Sequence, residues 1–387
     1  MLPDRIISPS DFRRRARARL PRVLFDYVDG GSYEEVTLKR NREDLERLRL
    51  RQRIMHDMSS VVLDTEIFGI SLDMPVILGP VGFAGMLWRR GEVAAARAAH
   101  DAGIAFALST VGICPFDEVA QAVAPPWMQL YMIKDRSFMR EMLRRIWSQG
   151  SPVLVLTLDL QTPAARYRDA RSGMAASQGL RGRARQAWDG LSHPSWLWDV
   201  YLRGRPHSFG NLAGATGEIS SFAQSWAWIG QNFDPSVTWN DLEFVREVWP
   251  GPIIAKGILD VEDARAAVDH GVDGIVVSNH GGRQLDGVRS SISALEPIVD
   301  AVGGDVPVFV DGGISSGLDV IKALASGARA CFLGRAWAFA LAAGGQAGVA
   351  RALARMKEEL RVAMVLTGCA DVKKASRDLL DQADGRW

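Results

Sequence analysis

Within six residues, Ser278-Asn279-His280-Gly281-Gly282-Arg283 brings together an imidazole, a glycine pair and a guanidinium. The imidazole can take up or release a proton near neutral pH. The guanidinium offers a planar fork to a carboxylate or a phosphate. Upstream, Asp159 follows Thr157-Leu158, and Arg166 stands seven residues beyond it. A carboxylate beside an imidazole favours its charged form. Lys256 adds an ammonium, and Gln129 and Tyr131 add further polar groups. Gly312-Gly313 after Asp311, and Gly334 before Arg335, supply backbone without side chains, which lets N–H groups approach a phosphate closely. Such a set suits proton transfer on an anionic substrate beside a phosphate-bearing group. Singly, each member has a plainer explanation. Ser109 could cap a helix, and an aspartate or a glycine pair at a strand end could form a turn. What decides is whether the fold gathers them.

From Met74 onward the chain has a rhythm of short apolar runs and amphipathic stretches. The spacing predicts strands over 75–78, 105–109, 128–131, 153–158, 253–256, 274–278, 308–310 and 331–333. Between and after them it predicts helices over 91–102, 116–123, 137–148, 240–248, 261–270, 293–302, 318–325 and 348–363. Buried parallel strands read as short β-rich apolar runs separated by helices. Eight such units imply an α/β fold, a closed (β/α)8 TIM barrel, whose chemistry sits at the C-terminal ends of the strands. An open doubly wound sheet is the alternative, but no GxGxxG follows the first strand. All the residues above except Gln129, which the third strand itself carries, fall at the predicted strand ends or beyond them.

The whole chain, 1–387, is read as one domain. Residues 1–73 form an N-terminal helical segment, with a helix start at Pro9-Ser10-Asp11 and helical spacing over 12–27. The barrel takes 74–159 and 238–363. Between lies an insert over 160–237, after the fourth strand and too long for a simple connection. Five of the chain's 12 tryptophans (188, 196, 198, 226 and 228) lie in it. From 161 to 237 it carries eight arginines against five acidic residues and no lysine.

Composition excludes several classes. The 387 residues are 47% hydrophobic and 24% charged, with a formal net charge of +1, which is ordinary for a globular protein. Nothing in that charge suggests nucleic acid as a partner. Three dispersed cysteines without a CxxC argue against a disulfide scaffold, and no metal is expected. The arginine-rich stretch over 11–19 leaves no signal-peptide core there. No apolar run reaches the length of a membrane span.

The string from Ser278 through Arg283 to Gln284-Leu285-Asp286 closely resembles the active-site signature of the FMN-dependent L-2-hydroxy-acid oxidases and dehydrogenases. The resemblance runs from Leu20-Pro21 and Phe25-Asp26-Tyr27 to Leu333-Gly334-Arg335. Within that family it is nearest to the bacterial quinone-dependent L-lactate dehydrogenases, notably over 162–173 and at Lys256-Gly257-Ile258-Leu259-Asp260. It implies FMN as cofactor and oxidation of an L-2-hydroxy acid, most simply L-lactate to pyruvate. It implies His280 as base, Asp159 as its partner, Arg283 with Arg166 on the substrate carboxylate, and Tyr27 and Tyr131 as hydrogen-bond donors. Lys256 would sit by the flavin. Pro80, Val81, Gly82, Ser109, Gln129, Thr157 and Ser278 would line its ring and ribityl chain. Asp311, Gly312, Gly313, Gly334 and Arg335 would hold the ribityl and phosphate.

Three positions depart from the family's usual pattern. Val111 stands where many oxidases carry tryptophan, which implies altered room around the substrate side chain. Gly82 stands where oxidases usually have alanine and goes with the dehydrogenase branch. Ser315 replaces a usual arginine, which leaves Arg335 as the expected phosphate cation. The resemblance also implies a quinone acceptor, a homotetramer, and a peripheral position on the cytoplasmic side of the inner membrane. The Trp- and Arg-rich insert is the expected membrane-docking segment. The alternatives are a mandelate-type dehydrogenase, an oxygen-using oxidase, an FMN-dependent isomerase on the same barrel, or a flavin-binding protein without activity.

Overall fold

The computed structural model describes residues 5–174, 179–216 and 222–381. Eight parallel strands close into a barrel. They are β1 (Val76–Leu78), β2 (Ala105–Leu108), β3 (Trp127–Tyr131), β4 (Leu154–Thr157), β5 (Ile253–Ile258), β6 (Gly274–Val277), β7 (Val308–Val310) and β8 (Cys331–Leu333). β8 pairs with β1 to close the ring. Each lies within two residues of the expected run. These strands are buried on both faces, as helix-covered parallel strands must be. Ile77, Val155, Ile254, Val276, Phe309 and Phe332 belong to one packed cluster. An antiparallel hairpin, Thr65–Ile67 with Ile70–Leu72, adds Ile67 and Leu72 to that cluster.

Two of the outer elements differ from expectation. The single helical stretch over 12–27 is two helices, α1 (Pro9–Arg19) and α2 (Arg22–Asp29). Pro21 is the cause: the residue before a proline is pushed out of the helical region, and Leu20 is extended at φ −88°, ψ 140°. α1 begins at Pro9, within the expected start: Ser8 caps it in a reciprocal box with Asp11 and Pro9 opens the first turn. The final helix begins at once after β8, spans Arg335–Thr367 and breaks at Gly344-Gly345. A third N-terminal helix, α3 (Val36–Arg47), lies over the mouth of the barrel and contacts its last loops.

The insert is largely helical, including Tyr167–Ser172, Leu180–Leu191 and Phe222–Asn232, with a π-helical turn over Leu197–Leu202. Its tryptophans divide. Trp196 is buried, and its indole N–H donates to the Met86 carbonyl at 2.8 Å. Trp228 packs edge-on to Phe233. Trp188 and Trp198 are 73% and 62% exposed. The side chains of Trp226, Arg181, Arg183 and Arg185, and all of Glu218, lie outside the described residues.

Trp196 therefore joins insert to barrel, and Trp188 does not. Trp196→Ala should destabilise the fold by about 3–5 kcal/mol, as other buried aromatic truncations do. Trp188→Ala should stay within about 0.5 kcal/mol. Denaturant midpoints with a common slope check this, and equal losses would contradict the packing.

Candidate active site

His280 follows β6 in a left-handed turn. Its φ is 56°, and those of Gly281 and Gly282 are 65° and 71°. A non-glycine residue holds such a conformation only when its surroundings enforce it. Here Ser278 Oγ accepts the His280 amide N–H at 3.0 Å, and Asn279 Oδ1 accepts that of Gly282 at 3.0 Å. Asn279 is itself locked to Asn41 of α3 by two reciprocal amide bonds of 2.8 and 2.7 Å. A side chain at Gly282 would lie 2.6 Å from the Leu38 backbone nitrogen, so α3 also demands glycine there.

The turn delivers His280 Nδ1 to Asp159 Oδ1 at 2.9 Å. With Nδ1 committed as donor, Nε2 is the atom available to accept a proton. Burial pushes the imidazole below its ordinary value of 6.5, and this outweighs the opposing pull of Asp159. The proximity of Asp159 thus does not raise His280 overall, as the sequence alone suggested it would. For Asp159 the balance reverses. Burial opposes its charge, yet His280 and Lys256 hold the carboxyl below the usual range. Gln284 Nε2 fixes the Asp159 carbonyl at 2.7 Å.

Lys256, on β5, is buried. Its Nζ donates to Ser278 Oγ at 2.8 Å and pairs with Asp311 Oδ2 at 2.9 Å. Burial works against its charge, but Asp311 and Asp159 keep the ammonium above its ordinary value. Behind the wall, Ser109 Oγ donates to Gln129 Oε1 and Gln129 Nε2 to Thr157 Oγ1. Ser109 is therefore part of a buried relay and not a helix cap. Of the expected cofactor-lining residues, Ser109, Gln129 and Ser278 sit behind the cavity surface, and the others line it.

Two guanidiniums stand side by side. Arg283 lies over the Tyr27 ring, 4.8 Å from its centre, and donates to the Tyr27 and Gly30 carbonyls. Arg166 donates to the Arg283 carbonyl at 3.3 Å. Burial, and then the charge of Arg283, push Arg166 down to about 10, so it stays charged at neutral pH. A buried carboxylate, Asp169, approaches Arg166 at 3.8 Å. Two cations and one carboxylate leave a positive site suited to an anion. Tyr27 and Tyr131 are buried, which raises both phenols and keeps them as donors.

Tyr27, Tyr131, Arg166, Lys256, His280 and Arg283 line one cavity of about 370 Å³, with Asp159 behind His280, within the range of small-molecule sites. The flavin implied by the sequence suits it. Asp311 Oδ1 is buried without a partner among the described residues and calls for a donor such as a hydroxyl. A side chain built on Gly334 meets nothing within 4 Å, so open space lies before the backbone there. Gly82 and Val111 are coupled, since a side chain on Gly82 would come within 2.7 Å of Val111 Cγ2 and 3.1 Å of the Tyr27 hydroxyl. Sequence reasoning missed Asn41, Arg42, Leu160, Ile229 and Phe233. The last three form an apolar part of the wall, and Phe233 packs on Tyr131 at 4.9 Å.

Comparison with known proteins gives a consistent picture. The sequence pattern of the FMN-dependent dehydrogenase family matches residues 16–382. An L-lactate dehydrogenase from Xanthomonas campestris pv. campestris (strain 8004) is 54% identical over 378 residues, covering 97% of each chain. Among solved structures, the monotopic membrane protein (S)-mandelate dehydrogenase superimposes with a TM-score of 0.91. It is 34% identical, and the match covers 98% of this chain and 100% of that one. A mandelate oxidase superimposes with a TM-score of 0.82 at 38% identity, covering 97% and 98%.

The His280 environment sets a titration that can be observed directly. By NMR, the imidazole should titrate below 6.5 in the ligand-free site, because burial is its largest influence. Asp159→Asn removes an opposing, charge-stabilising partner and should move the midpoint lower still. A midpoint that rises in Asp159→Asn would contradict the geometry.

Proposed function

The chain belongs to the FMN-dependent dehydrogenase family, and from that premise we propose that it oxidises L-lactate to pyruvate and passes the electrons to a quinone. The observation that carries this is the opening of His280, backed by Asp159, and of the Arg166–Arg283 pair onto one cavity. Oxidising a 2-hydroxy acid removes a proton and two electrons, and bound FMN would supply the acceptor for the electrons. Pro80, Val81, Gly82, Thr157 and Lys256 would hold its ring system, with Ser109, Gln129 and Ser278 behind. Asp311 would take ribityl hydroxyls, and Gly312, Gly313, Gly334 and Arg335 would hold the phosphate end.

The protein's own groups do the rest. Arg283 and Arg166 bind the substrate carboxylate, and Tyr27 and Tyr131 donate to the carboxylate or hydroxyl. His280 Nε2, neutral in the resting site, accepts the departing proton. Asp159 then stabilises the imidazolium, a general-base arrangement that contributes about 10²–10⁴ in rate. The Lys256 ammonium faces the cavity and offsets negative charge building there. Leu160, Ile229 and Phe233 present apolar surface to the substrate side chain, which disfavours a second charge on it.

We extend the proposal to the membrane. No helix among the described residues is long and apolar enough to cross one. Within 188–202, however, Trp188, Leu191, Trp198, Tyr201 and Leu202 are all exposed. Aromatic and aliphatic groups of this kind suit the headgroup boundary. Docking there, on the cytoplasmic face of the inner membrane and as a homotetramer, would bring the flavin's electrons to a lipid-soluble quinone.

Purified protein mixed with L-lactate without oxygen should lose the flavin's visible band near about 450 nm, as the cofactor's chemistry requires. Malate, with a second carboxylate, should act far more slowly. Absence of bleaching with any 2-hydroxy acid would overturn the proposal, and rapid peroxide formation in air would replace the quinone by oxygen. For docking, Trp188→Glu with Trp198→Glu should abolish co-sedimentation with anionic lipid vesicles. Unchanged sedimentation would reject the segment.

A further inference from the structure

The cavity end formed by the loops after β7 and β8 is where a barrel commonly holds phosphate. Its backbone is prepared for an anion. No acceptor among the described residues takes the N–H groups of Gly313 or Ile314. The cation expected there, Arg335, is heavily committed. Its Nε donates to the Val28 carbonyl at 3.0 Å, Nη1 to Gly281 at 2.8 Å and Nη2 to Gly30 at 2.7 Å. It is half-buried, and the loss of water around it, with Arg283 nearby, pushes it down to about 9.

A second guanidinium lines the same cavity. Arg42, on α3, reaches Ser315 and the first turn of the helix Gly317–Ala325. Its Nη1 donates to Ser315 Oγ at 3.3 Å and to Asp319 Oδ2 at 2.8 Å, and its Nε donates to Glu46 at 2.7 Å. Its Nη2 makes no hydrogen bond among the described residues. Burial opposes its charge, but Glu46 and Asp319 hold it above its ordinary value, so it is a permanent cation. Asp319 is buried and also accepts the amide N–H groups of Ser315 and Ser316. Arg42 therefore offsets the charge of Asp319, a carboxylate that would otherwise repel a phosphate at this loop, and its Nη2 is uncommitted among the described residues.

We infer that Arg42 is a phosphate-binding residue for FMN, supplied by the N-terminal helix at the place where the β7 loop offers only Ser315. This rests on FMN as the cofactor and concerns only its phosphate. Riboflavin, which has the ring and ribityl chain without phosphate, separates grip on the phosphate from general damage to the site.

The test is flavin titration of the full-length apoprotein, followed by fluorescence quenching, with FMN and with riboflavin. Arg42→Gln can still donate to Asp319 and so should keep its fold. It should weaken FMN roughly ten- to a hundred-fold, the size of a lost charge-assisted hydrogen bond, and leave riboflavin unchanged. Adding Ser315→Arg to that variant should restore the preference for FMN. Equal weakening of both flavins, no weakening of FMN, or failure of Ser315→Arg to restore it would each overturn the inference.

Discussion

Asn41 and Asn279 exchange both amide hydrogen bonds in a buried pair, and the geometry of the site hangs on that contact. Asn279 also accepts the Gly282 amide, so the pair fixes three successive residues in left-handed backbone. That turn aims His280 at Asp159 and starts the path to Arg283. Helix α3 closes it from outside, too near Gly282 to admit a side chain. Asp286 ties the turn further by accepting the Val36 and Thr37 amides at the start of α3. Leaving either amide unpaired in so buried a place would cost far more than the bond itself contributes.

The same helix reaches the other end of the cavity. Asn41 approaches Gly313 closely enough to exclude a side chain, and Arg42 meets Ser315 and Asp319. The turn after β6 and the loop after β7 are thus both held by one element outside the barrel. Burial then sets the protonation states. It drives His280 toward the neutral base, whereas paired partners keep Lys256 and Asp159 charged. Opposite outcomes for neighbouring groups are what acid–base work requires.

Much of this was legible in the sequence. The barrel strands are short runs such as Val308–Val310, buried on both faces, so composition alone marks them. His280, Asp159, Lys256 and Arg283 follow such runs, and the strand-end rule then gathers them. What stayed hidden depends on contacts between distant segments. Asn41 and Arg42 look like solvent-facing residues in a charged helix until α3 is laid over the mouth. Phe233 reaches Tyr131 only after the insert folds back. The net effect on His280 was also beyond sequence, because it depends on how much water the fold removes. By contrast, the break at Leu20-Pro21 had a signal in Pro21 itself.

We propose His280 as the base, with the arginine pair binding substrate independently of it. Anoxic stopped-flow reduction by L-lactate, comparing the native protein with His280→Gln at matched flavin content, tests it most directly. The variant should bind L-lactate with a similar Kd and lose at least about a hundred-fold in the limiting reduction rate, the range for a missing general base. A reduction rate within a few-fold of the native one would contradict it.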